Sequence, residues 1–310
     1  MAHTTQKGEA FTWHHVTRPT AADVAFVVRL FGMTDRDAAL LATREELPRF
    51  YDRGDWHMLR LHVPFVGAAH SAYEKLHLTF VFNKHTVVTI ADTKIAPLEK
   101  LMSGKAGSGS AGKPNGKSVP RELRSGNVGD VIAWLLNEVF DAVEPILDVV
   151  FKKIERLTAV MHRLPGDEAT RTLGALRRDV LVLDIMVQPA VAVVAQLIDT
   201  RTPYRAPRTT AQLHGIVDRL HAMHAILEHN GKLLEVLGHE RELMLSHRTG
   251  STLQFLTIIS VLLMPPALVA SYYGMNVSGL LWAHDIRLVS VAIVVVIIPF
   301  LFLIMRIIRK

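Results

Sequence analysis

The chain has 310 residues, of which 49% are hydrophobic and 21% charged, with a mean hydropathy of +0.23 and a net charge of +6. That balance is too apolar for a wholly soluble protein of about two domains. The absence of cysteine excludes a disulfide framework, a thiolate metal site and a cysteine nucleophile.

Residues 1–15 hold no apolar run, so no secretory signal is expected and the large polar part should stay in the cytoplasm. Residues 1–102 read as a mixed α/β domain. Residues 21–31 and 34–42 have helical patterning, with Thr20 and Thr34 as N-caps. Residues 57–63 (HMLRLHV), 76–82 and 85–90 alternate as half-buried strands do, and Asn83-Lys84 supplies a hairpin turn between the last two.

Residues 103–120 (SGKAGSGSAGKPNGKSVP) form a low-complexity segment expected to be a flexible linker. Gly116-Lys117-Ser118 ends like a phosphate-binding loop, but Ala111 stands where that motif needs glycine, and Pro120 follows at once. A nucleotide-binding enzyme built on this segment is therefore disfavoured.

From there the period is helical. Over 121–209, Leu136, Phe140, Val143, Leu147, Val150, Ile154, Leu157 and Met161 recur at steps of four and three, the seam of one coiled-coil-like helix that Pro165-Gly166 ends. A second helix from Asp167 to Ile198 should lie antiparallel to it. Residues 210–252, after the break at 202–208, form a stalk helix that enters an apolar stretch with no evident stop. A helix of roughly 60 residues is about 90 Å long, enough to carry a mechanical signal into a bilayer.

Residues 253–273 and 288–305 hold no charged side chain, and each reaches the roughly 18–20 residues that a bilayer core demands. The expected membrane part is a first helix at 253–273, an outer loop at 274–287, and a second helix with a basic tail at 288–310. All but four of the 35 Lys and Arg, and all but one of the 29 Asp and Glu, precede it. Arg241 and Arg248 before the hairpin, and Arg306, Arg309 and Lys310 after it, place both ends on the cytoplasmic side of the inner (plasma) membrane. The same placement argues for a membrane surface and against nucleic acid as the partner of the basic residues.

Leu253, Thr257, Ser260, Met264, Ala267 and Ser271 fall on one stripe of the first helix, suited to a narrow wet path or to close helix packing. Pro265-Pro266 removes two backbone donors and should kink the helix. Beyond the stripe stands Tyr272-Tyr273-Gly274-Met275-Asn276. The Asn276 amide offers a neutral acceptor and donor, and Gly274 lets the chain turn off the helix. A ring of such amides could hold a cation through its water shell, which suits magnesium because it dehydrates reluctantly.

The residues Tyr273-Gly274-Met275-Asn276, with Leu256-Thr257-Ile258-Ile259 and Met264-Pro265 before them, resemble the signature region of the CorA-type divalent metal transporters. The resemblance spans nearly the whole chain: an α+β cytoplasmic domain, antiparallel helices, a long stalk and two transmembrane helices. It implies a homopentameric funnel in which the first membrane helices surround one pore. Gly274, Met275 and Asn276 would form its outer selectivity ring, with Tyr273 supporting it. Leu253, Leu256 and Met264 would make the apolar constriction, and Thr257, Ser260, Ala267 and Ser271 the remaining lining. It also implies that intracellular divalent ions, bound between cytoplasmic domains, close the pore. The transported ion would be magnesium, with cobalt, nickel or zinc as alternatives, and no other cofactor is called for. The chain departs from the pattern at Gly250, where asparagine is common, at Gln254, where lysine is frequent, and in an outer loop whose single acid is Asp285.

Sixteen histidines raise metal ligation separately. His221 and His224 lie three apart on the stalk and, with Asp285 in the outer loop, are the candidate metal ligands. His239-Glu240 lacks the second histidine of the metalloprotease motif, since Leu243 stands there. No nucleophile–base spacing suggests an enzyme. The competing reading from another class is a cytoplasmic binding or signalling protein that the hairpin merely anchors.

Overall fold

Strand pairing in the first hundred residues brings six segments into one sheet, three more than the alternating pattern announced. The computed structural model describes residues 2–43, 47–66, 73–95, 98, 126–200 and 206–274, with positions 287, 288, 290, 291, 294, 295, 297–299 and 302. It divides into two units, Met1–Val236 and Leu237–Lys310. The linker at 103–120, with its Gly116-Lys117-Ser118 sequence, lies outside the described residues.

In the first unit the strands are β1 (Ala2–Lys7), β2 (Thr12–Thr17), β3 (Arg49–Asp52), β4 (His57–Val66), β5 (Tyr73–Phe82) and β6 (Thr86–Ala91). Their spatial order is β1-β2-β6-β5-β4-β3, with β2 and β6 parallel and every other pair antiparallel. The β5–β6 turn is a three-residue loop in which Asn83 Oδ1 accepts from the His85 and Thr86 amides at 2.9 and 2.8 Å. That Asx-type closure is why asparagine stands there.

Successive residues along each strand face opposite ways, so the sheet builds two cores. On one face Val16, Met58, Val81, Val88 and Ile90 pack with Val27 and Phe31 of α1 (Ala21–Phe31), while Leu40 and Leu41 of α2 (Asp35–Ala42) lean on the same cluster. Both helices begin as the sequence suggests. The Thr20 hydroxyl accepts from the Asp23 amide and the Asp23 carboxylate answers, a reciprocal cap; Thr34 accepts from the Asp37 amide. Gly32 ends α1 at φ 61, a left-handed conformation in which glycine pays no Cβ penalty.

The other face is covered by a long helix, α5 (Gly166–Asp199), against β3, β4 and β5, with α3 (Val128–Asp141) against β6. Polar groups buried there satisfy one another. Trp13 Nε1 donates to Thr89 Oγ1 at 3.0 Å, and His15 Nδ1 lies 2.7 Å from the same hydroxyl.

The coiled-coil-like seam expected as one helix is two, α3 and α4 (Glu144–Val160), a correction with a local cause. Ala142 and Val143 take tight turn bonds, Val143 N donating to Phe140 O at 3.0 Å, and Pro145 opens the next helix. The seam residues Leu136, Phe140, Val143, Leu147, Val150, Ile154, Leu157 and Met161 are nonetheless all buried.

The last long helix, α6, runs from Pro207 to Tyr273 without interruption, starting three residues before its expected first position. In the first unit its Leu213, Ile216, Leu220, Met223, Leu227 and Leu234 are buried. Arg177 Nη2 of α5 donates to Leu234 O at 3.1 Å, and Asp184 of α5 reaches His224, so the two helices run antiparallel.

Candidate functional site

Among the described residues two helices are long and apolar enough to cross a membrane, α5 and α6. In α5 the apolar residues Leu173, Leu176, Val180, Leu183, Val187 and Val194 are buried against the first unit, so its hydropathy belongs to a core. In α6 the apolar stretch past residue 252 is almost wholly uncovered. Of the second expected span, Leu288, Val291, Val294, Val295, Ile298 and Phe302 are helical and exposed. Such surface is unstable in water and at home in lipid.

Within 253–274 the uncovered surface is not uniform. Ile258, Ile259, Leu262, Pro265, Pro266 and Val269 are partly or fully buried, and they share one side of the helix. Leu253, Leu256, Thr257, Ser260, Met264, Ala267 and Ser271 are all exposed. At roughly 100° per residue the centres of these two sets lie about half a turn apart. The stripe singled out from spacing is thus the side that the chain itself leaves bare. Leu253, Leu256 and Met264 are 58, 59 and 63% exposed.

Two of the hydroxyls on that stripe are tied to their own helix. Thr257 Oγ1 donates to Leu253 O at 2.8 Å and Ser260 Oγ to Leu256 O at 2.9 Å. Back-bonding satisfies each donor without a partner helix, and the hydroxyl oxygen keeps an outward lone pair. The stripe therefore presents weak acceptors and apolar groups and carries no charge, a surface that can accept hydrogen bonds from a hydrated cation without stripping its waters. Helix α6 continues through Pro265 and Pro266, and Pro265 is the most deeply covered residue of the span.

At the end of α6 the Gly274 amide donates to Ala270 O at 2.9 Å, closing the last turn. Gly274 is not among the positive-φ glycines, and the residues by which the chain would turn off the helix lie outside the described ones. The atoms nearest a Cβ built there, Ala270 O at 3.1 Å and Ser271 O at 3.5 Å, are carbonyls of the preceding turn of the same helix. The Tyr273 backbone completes the helix. Met275, Asn276 and Asp285, the rest of the expected outer ring and the outer acid, lie outside the described residues.

The stalk histidines do not converge. His224 Nδ1 is 2.7 Å from Asp184 Oδ1 and is occupied by that pair, while His221 is exposed. Among the described residues no three of His, Asp and Glu gather as a metal would need. Sequence spacing could not reveal Asp184, because it reaches His224 from another helix, 40 residues away. A carboxylate group that no local spacing marks lies where α3 meets α4: Arg219 of α6 bonds Asp141 and lies 3.7 Å from Glu144, and burial followed by the Asp141 charge raises the pKa of nearby Glu138.

Known proteins resemble this chain at the level of the family and at the level of the fold. The family described as CorA-like Mg2+ transporter protein matches residues 8–310. No curated protein matches the chain. Among solved structures, the complete CorA magnesium transporter from Methanocaldococcus jannaschii is similar at a TM-score of 0.77 and 15% identity, covering 97% of this chain and 96% of that one. The full-length CmaX protein is similar at 0.72 and 19%, covering 97% and 89%. The cytoplasmic domain of ZntB from Vibrio parahaemolyticus is similar at 0.61 and 11%, covering 77% and 89%. At such identities the structural likeness speaks for the fold.

Proposed function

The chain belongs to the CorA-like Mg2+ transporter family, whose members carry divalent cations across membranes, and from that membership we propose a magnesium channel of the inner membrane. It assembles as a homopentamer, with the 253–273 segments around one axis, Asn276 at the outer mouth and both chain ends in the cytoplasm. The observation that carries the reading is the bare stripe of α6. A helix that covers one side and leaves hydroxyls and small residues on the other is made to meet further copies of itself.

Ion choice follows from the donors on offer. Between Leu253 and Asn276 the sequence holds hydroxyls, thioethers and amides but no carboxylate, imidazole or thiolate. Such a path suits a dication that keeps its waters, which favours magnesium over zinc, whose protein sites use nitrogen and sulfur ligands. Leu253, Leu256 and Met264 form the apolar constriction that closes by excluding water. Internal divalent ions bound between cytoplasmic domains hold it shut, and their depletion loosens it.

Purified protein in vesicles tests this. Magnesium uptake should exceed that of zinc, cobalt and nickel. Asn276→Ala should bring it down to the level of empty vesicles, while native mass spectrometry reads the same oligomer. Unchanged uptake in that variant removes Asn276 from the path, and a stable monomer in detergent reduces the hairpin to an anchor.

A further inference from the structure

The β1 edge of the sheet carries a group that ion passage does not use. In the β1–β2 register Thr5 stands opposite His14, and His3 lies two residues along β1, on the same face. His14 Nδ1 is approached twice, by His3 Nε2 at 3.2 Å and by Thr5 Oγ1 at 3.0 Å. Phe26 of α1 backs both rings, its centroid 5.2 Å from that of His3 and 5.4 Å from that of His14. Asp23, on the same helix and tied to Thr20 by the cap, is within electrostatic reach of His3.

We propose that His3 and His14 form a two-imidazole site for a borderline divalent metal of the zinc, nickel and cobalt class, separate from the transport path. The separation of the nitrogens is the first argument. With metal–nitrogen bonds of about 2.0–2.1 Å, two ligands of a tetrahedral ion stand about 3.3–3.4 Å apart. The observed 3.2 Å is close to that separation, so admitting the ion asks the rings mainly to turn until both lone pairs meet on it. Order is the second. The β1–β2 pairing fixes the two backbones and Phe26 limits both rings, so little rotamer freedom remains to be lost on binding.

Chemistry selects the ion. Neutral imidazole binds zinc, nickel and cobalt, whereas magnesium prefers carboxylate, carbonyl and water oxygen. The pair therefore distinguishes these metals from the magnesium that the pore is proposed to carry. As the described residues offer no third His or Asp/Glu ligand, water completes the shell. The Thr5 hydroxyl, displaced from Nδ1 by the ion, is placed to hydrogen-bond such a water. An affinity weaker than that of closed four-ligand sites follows.

The test uses the full chain in detergent and reads binding without flux, so it stands apart from the pore reading. Zinc chloride is titrated calorimetrically in excess magnesium into wild type, His3→Gln and His14→Gln. Each variant should bind one zinc fewer per chain than wild type. In parallel, diethyl pyrocarbonate modification of His3 and His14, mapped by peptide mass spectrometry, should slow with zinc and not with magnesium. His3 is exposed, so its variant keeps the test valid should His14→Gln disturb the edge. Equal zinc stoichiometry in all three proteins, or modification indifferent to zinc, overturns the site.

Discussion

His57 is 2% exposed and lies between two nearly parallel rings, Phe50 at 5.9 Å and Phe82 at 5.4 Å, with Asp52 Oδ1 3.2 Å from its Nε2. Burial pulls its pKa below the usual 6.5, and the Asp52 charge only partly restores it. The unfolded chain therefore binds a proton at a pH where the folded chain does not. Stability contributed by neutral His57 is complete above about 6.5 and is lost as pH falls below that value toward the folded pKa. Acidification from about pH 7.5 to about pH 5.5 should lower the unfolding temperature. His57→Phe, which keeps a flat ring between Phe50 and Phe82, should shrink that drop. An equal drop in the variant would locate the acid sensitivity elsewhere.

Helix α6 shows how much of an element its sequence declares. Leu213, Ile216, Leu220, Met223, Leu227 and Leu234 announce its buried side through steps of three, four and seven, and the same kind of spacing picks out its bare stripe. The break at Ala142–Val143 was hidden for the opposite reason: the tight turn there keeps the seam in phase, so periodicity alone passes over it. Strand β1 (AHTTQK) is a polar edge strand and β3 (RFYD) an edge strand of only four residues, so neither offers the run of alternating apolar residues by which a strand is read from sequence. Long-range partners such as Asp184 for His224 were illegible for want of any local signal. Gly231 offers a test at this scale. It sits inside α6, and a Cβ there would meet only Val180 Cγ1, at 3.9 Å, an ordinary contact. Gly231→Ala should raise stability by about 0.5–1 kcal/mol, because glycine costs that much in a helix interior. Denaturant unfolding measures it, and a loss of stability would mean that the position needs a smaller residue than the single chain explains.

For the molecule as a whole, the distribution of charge decides what can drive an ion through it. Charged side chains are absent from 253–273 and from 288–305, so a membrane potential finds no protein charge to move within either span. It acts on the ion instead. A dication gains about 4.6 kcal/mol per 100 mV, which supports a gradient on the order of a thousandfold with no nucleotide hydrolysed. Vesicles holding the protein, with an inside-negative potential set by potassium and valinomycin, should take up magnesium faster as the potential deepens. Uptake should stop when potential and gradient balance, and added nucleotide should leave it unchanged. An exchanger that traded each magnesium for two protons would be electroneutral and blind to the potential. Because the spans hold no gating charge, a dependence on potential measures the two charges of the permeating ion, and its absence would exclude the channel while leaving the family and the fold intact.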